Sequence, residues 1–214
     1  MEEDIRVYCA GPLFNDKERE EMRQIAEELS RAGFETFLPQ RDGLEMSKCV
    51  ERLVAGGMER AEANALLSRA VFKLDVYQVL ENCQAMVVNL NGRVPDEGAV
   101  SEAAMAWSAG KAVVGYKADS RSVFEGADNP LVTGLFGFSL ADSIGDAVSR
   151  LVELVEGGQS NLHQGTAHSA VLDAHLEEGG RIWEMLQNGL GAQGVAGFLR
   201  NSMETMTPKV RARA

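Results

Sequence analysis

Apolar residues along this chain form short continuous runs, separated by longer segments with helical spacing. The runs predict buried strands, because a strand covered on both faces carries apolar side chains on both. The predicted strands are Ile5–Ala10, Phe34–Leu38, Val87–Leu90, Ala112–Tyr116 and Leu135–Leu140. Apolar residues three and four positions apart predict helices. The first predicted helix is capped by Asn15 or Asp16 and runs to about Ala32. The other predicted helices are Glu45–Ala55, Arg60–Asn82, Gly98–Ala109, Ala141–Val155, Ala167–Leu176, Arg181–Gln187 and Ala192–Met203.

Strands and helices that alternate in this way favour an α/β protein with a parallel sheet and helices on both faces. Five strands predict a doubly wound, flavodoxin-like sheet with the strand order 2-1-3-4-5. The segment Gly157–Ser160 has the composition of a linker. We therefore predict an α/β domain over residues 1–156 and a helical C-terminal extension over residues 157–214.

Composition and charge narrow the range of partners. The chain has 214 residues, of which 45% are hydrophobic and 25% charged, as in globular proteins. A formal net charge of −11 disfavours a nucleic-acid polymer, since phosphate backbones are bound by clustered Lys and Arg. We find no apolar run of about 18 residues and no secretory signal pattern, so no membrane partner is expected. Three cysteines without CxxC spacing indicate reduced thiols, as in a cytoplasmic protein.

Motifs for common cofactors are missing from the sequence. The loop after the first strand is Gly11-Pro12-Leu13-Phe14, and neither GxGxxG nor GxxxxGKS/T occurs there. NAD and ATP are therefore not default ligands. The histidines His163, His168 and His175 lack acidic residues at ligand spacing and are predicted to lie on a surface or interface. We expect no metal and no organic cofactor.

Candidate chemistry concentrates in the stretch Pro95–Glu102, which follows the third predicted strand. Ligands of open α/β sheets bind at the carboxyl ends of the strands, so Asp96 and Glu102 are candidates for acid, base or nucleophile. A structural interpretation also fits each residue. Glu102 can stabilise the start of a helix through the helix dipole, and Asp96 can serve as a turn residue after a proline.

Three segments, in the right order and spacing, resemble the nucleoside 2-deoxyribosyltransferase family. They are Val7–Phe14, Val71–Asp75, and Asn91–Gly98 with Glu102 following. The resemblance covers about Ile5–Leu140. It implies that residues 1–156 are a catalytic domain that moves 2-deoxyribose between nucleobases through a covalent deoxyribosyl-enzyme.

The resemblance also implies roles for individual residues. Glu102 would be the nucleophile and Tyr8 would orient it, while Asp75 and Asp96 would bind and protonate the base. The residues matched to substrate binding are Gly11, Pro12, Phe14, Gly98 and Asn129. Of these, Asn129 would reach the sugar 5′-hydroxyl of a neighbouring subunit, which implies a homo-oligomer with shared active sites. Asn91 and Pro130 depart from the family pattern at their positions.

Three functions follow as hypotheses. The first is a nucleoside 2-deoxyribosyltransferase acting on small deoxynucleosides and free bases. The second is a 2′-deoxynucleoside 5′-monophosphate N-glycosidase, in which water replaces the acceptor base. The related hydrolases have a Gly- and Ser-rich first loop, whereas Gly11–Phe14 is apolar and lacks Ser. The third, a non-catalytic nucleotide-sensing module, predicts a degraded carboxylate set, whereas Tyr8 and the three carboxylates are present.

Overall fold

A computed structural model describes residues 5–122, 128–157 and 170–210. The chain divides into two compact units, each built from two separate segments. The first takes residues 1–41 and 78–168, and the second takes residues 42–77 and 169–214. This division by packing differs from the sequential boundary at residue 157, which stays a prediction.

The first unit contains a parallel sheet of four strands in the order β2-β1-β3-β4. The strands are β1 (Arg6–Ala10), β2 (Glu35–Phe37), β3 (Ala85–Asn89) and β4 (Ala112–Tyr116). All three pairings are parallel, with Tyr8 opposite Phe37 on β2 and Met86 on β3. The predicted α/β class, the parallel sheet and the order 2-1-3-4 are confirmed.

Strands β3 and β4 lie inside the first unit, and every residue of both strands is buried. Their sequences, AMVVN and AVVGY, are mostly apolar, which favours this burial. Strands buried on both faces occur where helices cover a parallel sheet. The helices of this unit are α1 (Asp16–Arg31), α2 (Pro39–Asp42, which ends at the border of the second unit), α5 (Glu97–Ser108), α6 (Pro130–Thr133) and α7 (Ile144–Glu156). Asn15, Asp96 and Ser143 cap α1, α5 and α7, which fixes where these helices begin.

The predicted fifth strand at Leu135–Leu140 is wrong. Gly134–Phe136 forms a short 3₁₀ helix, and pairing with β4 is limited to one parallel bridge between Tyr116 and Ala141. Gly137 and Phe138 have φ values of 61° and 59°, which lie in the left-handed region and are incompatible with an extended strand. The described sheet therefore has four strands and one isolated bridge in place of the five predicted strands.

The second unit is helical. It contains α3 (Met46–Ala55), α4 (Arg60–Tyr77), α8 (Ala170–Gln187) and α9 (Gly191–Val210). Its core combines both chain segments, for example Leu53 and Leu67 from the first with Ile182 and Val195 from the second. A Cβ atom on Gly179 would clash with the Lys73 carbonyl oxygen, so a glycine lets α8 approach α4 closely.

Several predicted helices have different bounds in the structure, and two of the differences are large. The helix predicted at Arg60–Asn82 is α-helical only to Tyr77 and continues as a π-helix at Gln78–Asn82, where the first unit resumes. Residues 170–176 of the helix predicted at Ala167–Leu176, and the helix predicted at Arg181–Gln187, belong to one helix, α8. Residues 167–169 lie outside the described residues. Residues 158–160 of the predicted linker, together with His163 and His168, lie outside the described residues. No helix in the described part of the chain is long and apolar enough to cross a membrane.

Candidate active site

A hydrogen bond joins two of the predicted site residues. The Tyr8 hydroxyl donates to Glu102 Oε1 over 2.7 Å. Tyr8 lies in the middle of β1 and is fully buried at 0% exposure, and its ring stacks on Phe37 with 5.3 Å between centroids. A ring held in this way has little rotational freedom, so the hydroxyl fixes the position of the carboxylate that it contacts.

Helix α5 carries Glu102 towards the sheet. Small buried residues at Ala99, Ala103 and Ala106 form one face of this helix, because they are spaced four and three apart. Glu102 lies next to that face and is half-buried. Since α5 begins at Glu97, Glu102 belongs to the second turn, where the helix dipole has largely decayed. Glu97 is the acidic residue of the first turn, so the structure gives the dipole-stabilising role to Glu97.

Asp96 caps the same helix. Its Oδ2 accepts a hydrogen bond from the Ala99 amide over 2.8 Å. A Cβ atom on Gly98 would lie 3.1 Å from this oxygen, so a glycine leaves room for the capping carboxylate. The turn role predicted for Asp96 is therefore present as an N-cap. Asp96 lies at the end of the loop that follows β3, six residues before Glu102.

The loop after β1 contains Gly11, Pro12 and Phe14. A Cβ atom on Gly11 would lie 2.5 Å from Met22 Sδ and 2.8 Å from Asn89 Cβ, so this loop packs closely on α1 and β3. Pro12 is buried, whereas Phe14 is 76% exposed and its amide donates to Glu18 Oε2 over 2.8 Å. An apolar loop with an exposed ring suits contact with a flat, uncharged ligand.

A sequence profile of a known family, described as nucleoside 2-deoxyribosyltransferase, matches residues 7–171. The chain belongs to the nucleoside 2-deoxyribosyltransferase family. Members of this family are enzymes that act on small nucleosides and bases. No curated protein sequence matches this chain.

Solved structures that match this chain include the following two proteins. A conserved protein from Enterococcus faecalis is 20% identical with a TM-score of 0.51, and the match covers 70% of this chain and 98% of that one. A 2-desoxiribosyltransferase from Leishmania mexicana is 16% identical with a TM-score of 0.42, over 70% of this chain and 97% of that one. The first of these supports an α/β fold for this member of the nucleoside 2-deoxyribosyltransferase family.

The two remaining residues matched to the deoxyribosyltransferase pattern are Asn129, which precedes α6, and Asp75, which belongs to α4. Asn129 is exposed and caps the short helix α6, where its Oδ1 accepts from the Leu131 amide over 3.0 Å. Asp128, just before it, pairs with Lys117 over 2.5 Å, and both side chains are largely covered. Asp75 lies on α4 in the second unit. Its role in base binding stays a prediction from the family resemblance.

A polar network at the carboxyl edge of the sheet was missed by sequence reasoning. Glu21 Oε1 accepts from Asn91 Nδ2 over 2.7 Å and from the Tyr116 hydroxyl over 3.2 Å. Its other oxygen accepts from Asn89 Nδ2 over 3.0 Å. Asn89 is fully buried, and a polar residue within an otherwise apolar run was the signal that could have revealed the network.

This network borders a cavity of about 530 Å³ lined by Pro12, Asn15, Glu21, Asn91, Asp119 and Arg121 among others. Hydrogen bonds from Arg121 hold the pKa of Asp119 well below its usual range. Burial raises the pKa of Tyr116, so its hydroxyl stays protonated and donates a hydrogen bond to Glu21. Within the described ranges, we find no cluster of His, Cys, Asp and Glu that could hold a metal ion.

Proposed function

We propose that this family member is a nucleoside 2-deoxyribosyltransferase with Glu102 as nucleophile. The observation that carries the proposal is the 2.7 Å hydrogen bond from the buried Tyr8 hydroxyl to the Glu102 carboxylate. A carboxylate that is oriented by a rigid donor, half-buried and placed beyond the first turn of its helix suits covalent catalysis better than helix stabilisation.

The first half of the reaction breaks the glycosidic bond. A Glu102 oxygen attacks C1′ of the deoxynucleoside and forms a C1′–O ester bond, while the C1′–N bond breaks and its electron pair passes to the base. Asp96 supplies a proton to the departing base, which leaves neutral. Retaining glycosidases divide the work between two carboxyl groups in a related way.

The second half regenerates the enzyme. A nitrogen of the incoming base attacks C1′, the C1′–O bond to Glu102 breaks, and Asp96 takes the proton that the new nucleoside loses. If water attacks instead, the products are free 2-deoxyribose and the Glu102 carboxylate. The apolar loop at Gly11–Phe14 supports a neutral nucleoside over a 5′-monophosphate, because it offers no hydroxyl side chain to a phosphate.

A base-exchange assay tests the proposal. The protein is incubated with deoxyadenosine and cytosine, and separately with deoxynucleoside 5′-monophosphates, and free base and new nucleoside are followed by chromatography. We expect deoxycytidine and adenine to form together from the first mixture. Release of base without exchange would assign the hydrolase instead, and no turnover by a well-folded sample would contradict both activities.

Tyr8→Phe is expected to lower the rate of exchange by about 10- to 100-fold, because a hydrogen bond to a charged group contributes about 1.5–3 kcal/mol. The melting temperature should change little, since phenylalanine keeps the ring contact with Phe37. The comparison is steady-state kinetics beside Tyr77→Phe, which removes a hydroxyl from the second unit. Equal rates for the two variants would argue against an orienting role for Tyr8.

A further inference from the structure

Asn91 uses both ends of its side-chain amide to connect separate parts of the first unit. Its Nδ2 donates to Glu21 on α1 over 2.7 Å. Its Oδ1 accepts from the backbone amides of Ala118 and Asp119 after β4, over 2.8 and 2.9 Å. An amide is the side chain that can donate in one direction and accept in the other, so an aspartate or leucine could not make the same set of contacts.

The backbone beside Asn91 is held as well. The backbone amide of Asn91 donates to Asn89 Oδ1 over 2.9 Å, and the backbone amide of Gly92 donates to Asp119 Oδ2 over 3.2 Å. Gly92 has a φ of 115°, a conformation that side chains rarely adopt. The loop that leaves β3 is thus fixed at Asn91 and Gly92, and Gly92 lies four residues before Asp96.

Glu21 is the common acceptor that holds this arrangement on α1. Asn89, Asn91 and Tyr116 donate to its two oxygens, and the first two of these donors lie at the end of β3 and on the loop that follows it. A second carboxylate at position 91 would face Glu21 at hydrogen-bond distance. Two like charges so close, and partly shielded from water, repel each other and push the loop away from α1.

We propose that Glu21 and Asn91 are a positioning pair that holds the loop from Asn91 to Asp96, and through it the start of α5, in the arrangement that catalysis needs. The inference rests on the proposed function for its catalytic consequence. The pairing needs a carboxylate at one of positions 21 and 91 and a side-chain amide at the other. It predicts that the carboxylate can stand at either position. In the double variant Glu21→Gln/Asn91→Asp, the introduced glutamine would donate to the introduced aspartate and accept from Asn89. The introduced aspartate would still accept from the backbone amides of Ala118 and Asp119.

The test is a double-mutant cycle in the full-length protein. Asn91→Asp alone is expected to lower kcat/KM by at least about 10-fold, because the Glu21 carboxylate then faces a second carboxylate. Glu21→Gln alone should also lower it, since one donor then faces another. The double variant should return to within about threefold of the wild type. Glu20→Gln, an exposed residue of the same helix, is the matched control.

A second readout is independent of turnover. The backbone amide of Ala99 donates to Asp96 Oδ2, so the rate of its hydrogen exchange reports whether Asp96 occupies the N-cap position of α5. We expect faster Ala99 exchange in Asn91→Asp and wild-type exchange in the double variant. A double variant as impaired as Asn91→Asp in both readouts would overturn the pairing. The pairing would also be overturned if Asn91→Asp had the kcat/KM and the Ala99 hydrogen exchange of the wild type. If the wild-type protein does not exchange bases between nucleosides, the proposed function fails. The hydrogen exchange of the Ala99 amide then decides the pairing by itself.

Discussion

Glu102→Gln is expected to lower the rate of base exchange by on the order of 10⁴-fold or more, because the variant has no carboxylate to form the ester bond at C1′. Glutamine keeps the length of the side chain and can still accept the hydrogen bond from Tyr8. The fold should therefore persist, with a melting temperature within a few degrees of the wild type. Single-turnover kinetics with deoxyadenosine, followed by chromatography, measure the loss.

Glu97→Gln is the matched control for this variant. Glu97 lies on the same helix, is exposed, and carries the same charge. We expect exchange rates close to those of the wild type, with a small loss of stability from the weaker interaction with the helix dipole. The nucleophile assignment would be contradicted if the two variants lost activity to a similar degree, or if Glu102→Gln kept most of its activity.

Asp96→Asn and Asp96→Ala separate the two functions that we assign to this residue. Asparagine is as good an N-cap as aspartate, so Asp96→Asn should keep the stability of the wild type. It cannot shuttle a proton, so the exchange rate should fall by about 10²- to 10⁴-fold. Asp96→Ala should lose activity to a similar extent and also about 1 kcal/mol of unfolding free energy.

Chemical denaturation and exchange kinetics on the same samples measure both effects. Ser143→Ala removes the N-cap of α7, where Ser143 accepts from the Asp146 amide. Ser143→Ala should lose about as much unfolding free energy as Asp96→Ala, about 1 kcal/mol, and should keep the base-exchange rate of the wild type. An Asp96→Asn variant with full activity would leave Asp96 as a helix cap alone.

Local sequence signals predicted much of the first unit. Apolar runs identified four strands, because buried parallel strands differ clearly in composition from the surrounding helices. The motif from Pro95 to Glu102 placed a helix within one residue of its observed start. Leu135–Leu140 was misassigned because an apolar run does not reveal that Gly137 and Phe138 adopt left-handed conformations.

Contacts between distant residues could not be predicted in the same way. The pairing of Glu21 with Asn91 joins positions 70 residues apart, and nothing in either segment specifies the other. The two segments of the helical unit are likewise far apart, so periodicity predicted α3, α4 and the C-terminal helices without showing which of them share a core. Such contacts depend on topology, which local patterns do not encode.

The discontinuous helical unit has a consequence for synthesis of the chain on the ribosome. Leu53 and Leu67 are translated well before Ile182 and Val195, which share their core. Until then the apolar faces of α3 and α4 lack the partners that α8 and α9 supply. A nascent chain with exposed apolar surface is prone to aggregate. Premature termination before α8 would therefore leave α3 and α4 without the apolar partners that complete their core, even though α5 and β4 had already been translated.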